Sequence, residues 1–120
     1  MPHDNLTESE ARFAELIWSR EPVPSGELVK LCESEWNWKK STTYTMLKRL
    51  ESKRIFKNED GIVSSLILKD DYYAEQGRRL VDEAFGGSLP RFFAAFAKSR
   101  KLSEREIDEV MQMIRDHKEE

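Results

Sequence analysis

Apolar residues recur at helical spacing in several segments of the chain, and a β-type pattern interrupts them once. Thr7 and Glu10 have the spacing of a capping box, in which each side chain satisfies a free backbone amide of the first helical turn. Ala14, Ile17 and Trp18 follow at helical spacing, with Phe13 beside them. The prolines of the segment 21–24 then end this first predicted helix.

Two more helices are predicted before residue 53. Ser25 is expected to cap the second, which has Leu28, Leu31 and Cys32 on one face. The third runs over 41–52, with Ser41 or Thr42 as a possible cap. Its inward face follows an i, i+3, i+4, i+7 pattern: Thr43, Met46, Leu47 and Leu50. Its outward face then consists of Ser41, Thr42, Thr45, Lys48 and Arg49, with Tyr44 on the flank.

A β-hairpin is predicted after the third helix. Asp60-Gly61 lies between two β-prone runs, and this pair suits the positive φ angles at the centre of a tight hairpin. Three short helices followed by a hairpin are typical of a winged helix-turn-helix, whose third helix lies in the major groove of DNA. We therefore predict a mainly α protein with a winged helix-turn-helix DNA-binding domain at residues 1–69.

Residues 70–120 are predicted to form a helical dimerisation domain. Asp70 or Asp71 is expected to cap a helix that Gly86-Gly87 ends, and Pro90 suits the first turn of the next helix. The segment 91–98 is apolar nearly all round and must be buried, which a second copy of the chain would achieve. A capping box at 103–106 opens the last helix. The predicted dimer contacts are Leu80, Phe85, Leu89, Phe92, Phe93, Phe96, Ile107, Val110, Met111 and Ile114.

Positive charge is concentrated in the segment 36–57. Seven basic residues and one acid give it +6, in a protein whose net charge is −3. This concentration favours nucleic acid as the partner, although a solvated helix face is the ordinary alternative. The predicted DNA contacts are Lys39, Lys40, Ser41, Thr42, Tyr44, Thr45, Lys48, Arg49, Arg54 and Lys57. For Tyr44 packing is an equal alternative. Trp36 and Trp38 could stack on sugar or base, but we expect at least one of them to belong to the core.

Other chemistry is sparse. Cys32 is the one cysteine, so no internal disulfide can form, and we expect it to pack as a small hydrophobe. His3 and His117 lie near the two chain ends, which we expect to be mobile, and have no partners at ligand spacing. We find no nucleophile–base set and no phosphate-binding glycine loop. We expect no metal, no cofactor and no enzymatic activity. No apolar run approaches the roughly 18 residues of a membrane span, so we expect a cytoplasmic protein.

An ordered set of segments resembles the BlaI/MecI/CopY family of bacterial repressors, also called penicillinase or methicillin-resistance repressors. No single segment is specific, but the set runs in order through nearly the whole chain. The matching segments are Leu6–Glu10, Leu16–Trp18, Thr43–Glu51, Phe85–Ser88 and Leu102–Ile107.

The resemblance implies a homodimeric transcriptional repressor that binds a palindromic operator. Many family members are released when a membrane sensor metalloprotease, or a process it triggers, leads to a cut before a phenylalanine in the penultimate helix. The matching bond here is Ala95–Phe96, with alanine where the family commonly has asparagine. The copper-responsive branch has a C-terminal cysteine motif, and the segment 116–120 has no cysteine. Copper sensing is therefore not expected.

Two other functions fit the same residues. The basic face could dock an acidic protein, which would make the winged helix a protein-interaction module. A small ligand could instead bind near Phe92, Phe93 and Phe96 and regulate DNA binding, although these rings are better explained as dimer core.

Overall fold

The elements follow the predicted order along the chain. The computed structural model describes residues 3–120. Its elements are α1 (Glu8–Arg20), β1 (Val23–Pro24), α2 (Ser25–Trp36), α3 (Lys40–Ser52), β2 (Phe56–Glu59), β3 (Ile62–Ser65), α4 (Lys69–Ala84), α5 (Leu89–Ser99) and α6 (Glu104–Lys118). The prediction of a mainly α protein with a winged helix followed by further helices is confirmed.

The first helix begins as its sequence predicts. Thr7 Oγ1 accepts a hydrogen bond from the amide of Glu10 at 3.2 Å, and Glu10 Oε1 accepts one from the amide of Thr7 at 2.8 Å. Phe13, Ala14 and Ile17 are fully buried behind this capping box. Helix α1 therefore supplies one wall of the core on which the other helices pack.

The wing is a three-stranded antiparallel sheet in the order β1–β3–β2. Asp60 and Gly61 join β2 to β3 with φ angles of 52° and 81°, which confirms the predicted tight hairpin. The strand β1 was not predicted. Its two residues pair with β3, and Val23, opposite Val63, is buried. A strand of two residues is too short to show the alternation by which strands are recognised in sequence.

Helix α3 is held by the face predicted to point inward. The core of the described residues is formed by all three helices that precede the wing, by the wing itself and by the first turn of α4. Its members are Phe13, Ala14, Ile17, Val23, Leu28, Cys32, Met46, Leu47, Leu50, Ile55, Phe56, Val63 and Tyr72. Cys32 is buried and unpaired, and burial raises the pKa of its thiol although a hydrogen bond with Thr43 partly opposes this. It packs as a small hydrophobe.

Three of the predicted caps are wrong. Helix α2 begins at Ser25 itself, with Pro24 in the cap position, so the Ser25 hydroxyl does not cap it. Helix α3 begins at Lys40 after Lys39, which places Ser41 and Thr42 inside its first turn. Helix α4 begins at Lys69, so its two aspartates, Asp70 and Asp71, also lie within the first turn, where they are still favourable to the helix dipole.

Contacts group the chain into two compact units, one ending at Arg78 and the other beginning at Arg79. In the second unit, Gly86 and Gly87 have φ angles of 60° and 78° and end α4 as predicted. Ser88 caps α5, and a complete capping box at Ser103 opens α6. The division into domains at residue 69 stays a prediction, because compactness does not establish independent folding.

Residues 3–120 contain neither a candidate membrane span nor a candidate metal site. None of the helices there is long and apolar enough to cross a membrane. The same residues contain no group of three or more histidine, cysteine or acidic side chains placed to hold a metal ion.

Candidate nucleic-acid interface

The outward face of α3 is exposed along the whole helix. The four residues predicted to face inward are buried. The five predicted to face outward are all exposed: Ser41, Thr42, Thr45, Lys48 and Arg49. Because the inward side chains are locked in the core, the rotation of α3 about its axis is fixed. The five polar side chains therefore form one surface, which we call the α3 face.

Several cations on and beside the α3 face are without internal partners. Within residues 3–120, the side chains of Lys39, Lys40, Lys48 and Arg54 make no hydrogen bond or ion pair. Among the described residues, the guanidinium of Arg49 makes a hydrogen bond only to the sulfur of Met46, at 3.6 Å, and this weak acceptor leaves its charge uncompensated. These side chains are free to bind an external anion.

Lys53, by contrast, is committed to the fold. Its ammonium lies 2.7 Å from Glu10 Oε1, and the Glu10 side chain is only 3 % exposed. Burial alone would raise the pKa of Glu10, but the hydrogen bonds from Lys53 and Thr7 outweigh it and lower that pKa below its ordinary value. Of the seven basic residues between 36 and 57, Lys53 is therefore the one engaged in a largely buried ion pair.

Lys57, on strand β2, has an intermediate status. It lies 3.3 Å from Glu59, and both side chains are well exposed, at 42 % and 71 %. Exposed ion pairs of this kind contribute little and exchange easily. Lys57 therefore remains a candidate for phosphate contact from the wing.

Arg54 has an unusual backbone conformation. Its φ is 62°, in the left-handed region. The amide of Ile55 donates a hydrogen bond to the carbonyl of Leu50, and the amide of Arg54 donates one to the carbonyl of Glu51. These two hydrogen bonds form a Schellman motif at the end of α3. Glycine is the usual residue at this position because a side chain strains it. An arginine here points to a role for its side chain that outweighs the strain.

The aromatic residues near α3 pack against the core. Trp36, Trp38 and Tyr44 are half-buried against it, and the rings of the two tryptophans lie 5.0 Å apart. Phe13 also packs on Trp38, at 5.6 Å. The prediction that at least one tryptophan belongs to the core is borne out in that both pack against it, although neither is fully buried. The Tyr44 hydroxyl lies 3.3 Å from Ser25 Oγ, so Tyr44 makes a structural contact whether or not it also touches DNA.

The unit 79–120 contains an apolar cavity of about 500 Å³. Helices α5 and α6 contain no buried residue, although their apolar positions are aligned. The cavity is lined entirely by apolar side chains: Leu89, Pro90, Phe92, Phe93, Leu102, Ile107, Val110, Met111 and Ile114. All but two of these, Pro90 and Leu102, were predicted as dimer contacts.

Comparison with known proteins decides the family. The model of the penicillinase repressor family matches residues 6–116. The chain belongs to that family. A penicillinase repressor of Bacillus licheniformis is 24 % identical over 117 residues, which cover 94 % of this chain and 91 % of that protein. A penicillinase repressor of Staphylococcus aureus is 26 % identical over 105 residues, covering 84 % and 83 %.

Membership in the penicillinase repressor family establishes the general activity. The protein is a DNA-binding transcriptional repressor and not an enzyme, as the sequence predicted. The family match extends through both compact units and includes the α3 face and the apolar cavity.

The left-handed conformation of Arg54 gives a first prediction for this family member. Replacing Arg54 by glycine is expected to raise the free energy of unfolding by up to about 1 kcal/mol relative to Arg54→Ala, because glycine removes the backbone strain. Both variants lose the guanidinium and are expected to weaken DNA binding equally. Urea denaturation and DNA titration of the pair test this. An Arg54→Gly variant less stable than Arg54→Ala would contradict the strain argument.

The ion pair of Glu10 predicts a stability that depends on pH. Because the pKa of Glu10 in the folded state is lower than its ordinary 4.5, its contribution is complete above that value and is lost as pH falls through the lowered pKa. Glu10→Gln is expected to cost about 1–3 kcal/mol at neutral pH and less in acid. Urea denaturation between neutral and acidic pH measures this, with the exposed Glu8→Gln as control. Equal losses at all pH values would refute the prediction.

Proposed function

We propose that this repressor is a cytoplasmic homodimer that inserts α3 into the major groove of a palindromic operator. The observation that carries the proposal is the α3 face, where Lys48 and Arg49 are exposed and have no carboxylate partner in the part of the chain that the structure describes. An arginine or lysine contacting guanine is the commonest specific contact in the major groove. Lys39 and Lys40, at the beginning of the same helix, are placed to contact phosphate together with its N-terminal amides.

The wing and the end of α3 would supply further backbone contacts. Arg54 follows the helix directly, and Lys57 lies on the first wing strand. Ser41, Thr42 and Thr45 can donate hydroxyl hydrogen bonds to phosphate, and the methyl groups of the threonines can contact thymine. Tyr44 would contribute from the flank of α3.

The proposal of a dimer rests on the apolar surface of the unit 79–120. Leu89 and Ile114 are exposed by more than 60 % in the single chain, and the cavity beside them has an apolar lining. Contiguous apolar surface of this kind commonly marks an interaction site. A second copy would cover it, with the residues that the sequence predicted as contacts: Leu80, Phe85, Leu89, Phe92, Phe93, Phe96, Ile107, Val110, Met111 and Ile114.

Salt dependence tests DNA binding. The protein is titrated against a duplex from the region upstream of its own gene, at about 50 and about 200 mM salt. If a dimer neutralises roughly 6–10 phosphates, affinity is expected to fall by about 10³–10⁵-fold across this interval. Two-fold symmetry also predicts two half-sites that lie about 10 base pairs, or a multiple of that, apart and are protected from nuclease in a footprint of the complex. Binding that is insensitive to salt would contradict the proposed interface.

The same experiment tests the first of the two other functions, and a measurement of the oligomeric state tests the second. A protein-interaction module would bind acidic protein and give no salt-sensitive DNA complex. The apolar cavity is of a size that could hold a small ligand, which is the observation in favour of a ligand-responsive regulator. A ligand in the cavity would compete with the dimer, so a protein that remains monomeric and still binds its DNA tightly would favour that alternative.

Release by proteolysis is part of the proposal. The Ala95–Phe96 bond lies inside α5, and both of its residues are exposed in the single chain. A cut there would divide the proposed dimer surface and convert the repressor to weakly binding monomers. The partner would be a membrane sensor metalloprotease or a protease that it activates. Immunoblotting of induced cells tests this, because Phe96→Ala should leave the chain intact if cleavage depends on that residue.

A further inference from the structure

The segment 3–5, which precedes α1, was predicted to be mobile, but hydrogen bonds hold it against the rest of the N-terminal unit. Side chains far along the sequence donate hydrogen bonds to each of its carbonyl oxygens. They are Gln76 Nε2 to His3 at 3.1 Å, Tyr72 Oη to Asp4 at 2.7 Å and Lys53 Nζ to Asn5 at 2.9 Å. The segment thereby connects α4 with the turn between α3 and β2.

The ring of His3 lies between two hydrogen-bond acceptors. Its Nδ1 is 2.8 Å from Glu75 Oε2, and its Nε2 is 3.1 Å from the backbone carbonyl oxygen of Arg54. A carboxylate and a carbonyl accept hydrogen bonds and cannot donate them. Neutral imidazole has a single N–H, which the negatively charged carboxylate of Glu75 favours on Nδ1, so the neutral ring gives up its hydrogen bond to the Arg54 carbonyl. Only the doubly protonated ring donates to both, and its positive charge matches the negative charge of Glu75.

From this geometry we propose that His3 is a positioning residue for DNA binding. When doubly protonated it holds the carbonyl of Arg54, and operator affinity therefore depends on pH through His3. The inference rests on the proposed role of Arg54 in DNA contact. It also explains how a strained residue keeps one conformation. The backbone amide of Arg54 donates a hydrogen bond to the Glu51 carbonyl, and its own carbonyl accepts one from His3, so both sides of the left-handed residue are held.

Among residues 3–120, the charged and titratable groups found around the ring come from two parts of the fold. Helix α4 contributes Glu75 and also Tyr72, whose ring centroid lies 6.3 Å from that of His3 in an edge-on arrangement. The turn after α3 contributes the carbonyl of Arg54, and the neighbouring Lys53 is paired with Glu10. The side chain of His3 is 15 % exposed, and its contact with Glu75 is partly buried, whereas its hydrogen bond to the Arg54 carbonyl is exposed, so water can replace part of that bond when it is lost.

The test compares operator affinity across pH for three proteins. Wild type, His3→Ala and His117→Ala are titrated by fluorescence anisotropy with the upstream duplex from about pH 5.5 to about pH 8.5, the interval in which histidines generally titrate. His117 is the other histidine of the chain and lies exposed on α6, so its variant is the matched control. We expect His3→Ala to bind about 3- to 10-fold more weakly at low pH and to approach wild type at high pH.

Two further variants distinguish positioning from a general loss of structure. The amide of His3→Gln can donate to the Arg54 carbonyl but does not titrate, so this variant should keep part of the affinity without the histidine-dependent pH profile. In an Arg54→Ala background, His3→Ala should have no additional effect, because the positioned side chain is already absent. Urea denaturation at each pH checks that every variant is folded.

The failures of the two proposals can be told apart. Wild-type protein that binds the duplex with the expected salt dependence, together with unchanged binding by His3→Ala at every pH, would overturn the role of His3 alone. An effect of His3→Ala that is equally large in the Arg54→Ala background would also overturn it. Absence of salt-sensitive DNA binding by wild type would overturn the proposed interface, and the role of His3 with it.

Discussion

Replacing Lys48 and Arg49 by alanine is expected to abolish operator recognition while leaving the fold and the dimer intact. Both side chains are exposed and are not paired with any carboxylate among residues 3–120, so their removal leaves no buried group unsatisfied. A residue that contacts a guanine contributes about 1–3 kcal/mol, or roughly 5- to 150-fold in affinity. A residue that contacts phosphate instead contributes about one unit to the slope of the logarithm of affinity against the logarithm of salt concentration.

The single variants assign these two roles. If Arg49 contacts a base, Arg49→Ala should lower the preference for operator over unrelated DNA by roughly 5- to 150-fold. If Lys48 contacts phosphate, Lys48→Ala should weaken both and lower the dependence on salt. Arg20→Ala, which removes an exposed cation from the last turn of α1, is the matched control. It should change neither the affinity for DNA nor the dependence of that affinity on salt. A double variant that binds its operator as tightly as wild type would remove the α3 face from the proposed interface.

The parts of the fold that could be predicted are those specified by neighbours in the sequence. The Thr7–Glu10 box, the Asp60-Gly61 turn and the spacing of Met46, Leu47 and Leu50 each involve residues at most four positions apart. Their physical causes, a satisfied amide, a positive φ and burial of one helix face, are local. The α3 face was predictable for the same reason, since fixing the buried side of a helix also fixes its exposed side.

The parts that could not be predicted depend on distant partners. Lys53 was grouped with the other cations of the segment 36–57, but it is paired with Glu10, 43 residues earlier. His3 was assigned to a mobile end, but it contacts Glu75, 72 residues later. The strand β1 exists only because β3 pairs with it. No periodicity within a segment shows which charges meet across the fold, so charge alone overstated the number of available cations.

Helices α5 and α6 show a different limit. Their apolar spacing predicted burial, yet in the single chain no residue of either helix is buried. The apolar side chains of these helices are therefore only partly removed from water within the single chain. The proposed second copy would supply the additional covering surface. The apparent free energy of unfolding of the proposed dimeric repressor would thus depend on protein concentration as well as on sequence.

Two methionines of α6 provide a matched test of that covering surface. Met111 lines the apolar cavity and is 45 % exposed, whereas Met113 is 67 % exposed and does not line it. Met111→Asp would bury a carboxylate in the proposed dimer interface, a cost of several kcal/mol for an unpaired charge. We expect it to produce monomers at concentrations at which wild type is dimeric, as measured by analytical ultracentrifugation. Met113→Asp makes the same chemical change outside the cavity and should remain dimeric.

DNA binding should follow the oligomeric state, because one operator binds two α3 helices only when they are linked. Each helix then adds its contacts to an already bound partner, and this effective concentration is worth about 10²–10⁴-fold in affinity. Met111→Asp is therefore expected to lose at least about 100-fold in operator affinity although its α3 face is unchanged, while Met113→Asp should bind as wild type does. Monomeric Met111→Asp with wild-type affinity would separate DNA binding from dimerisation, and a dimeric Met111→Asp would place the dimer contact elsewhere.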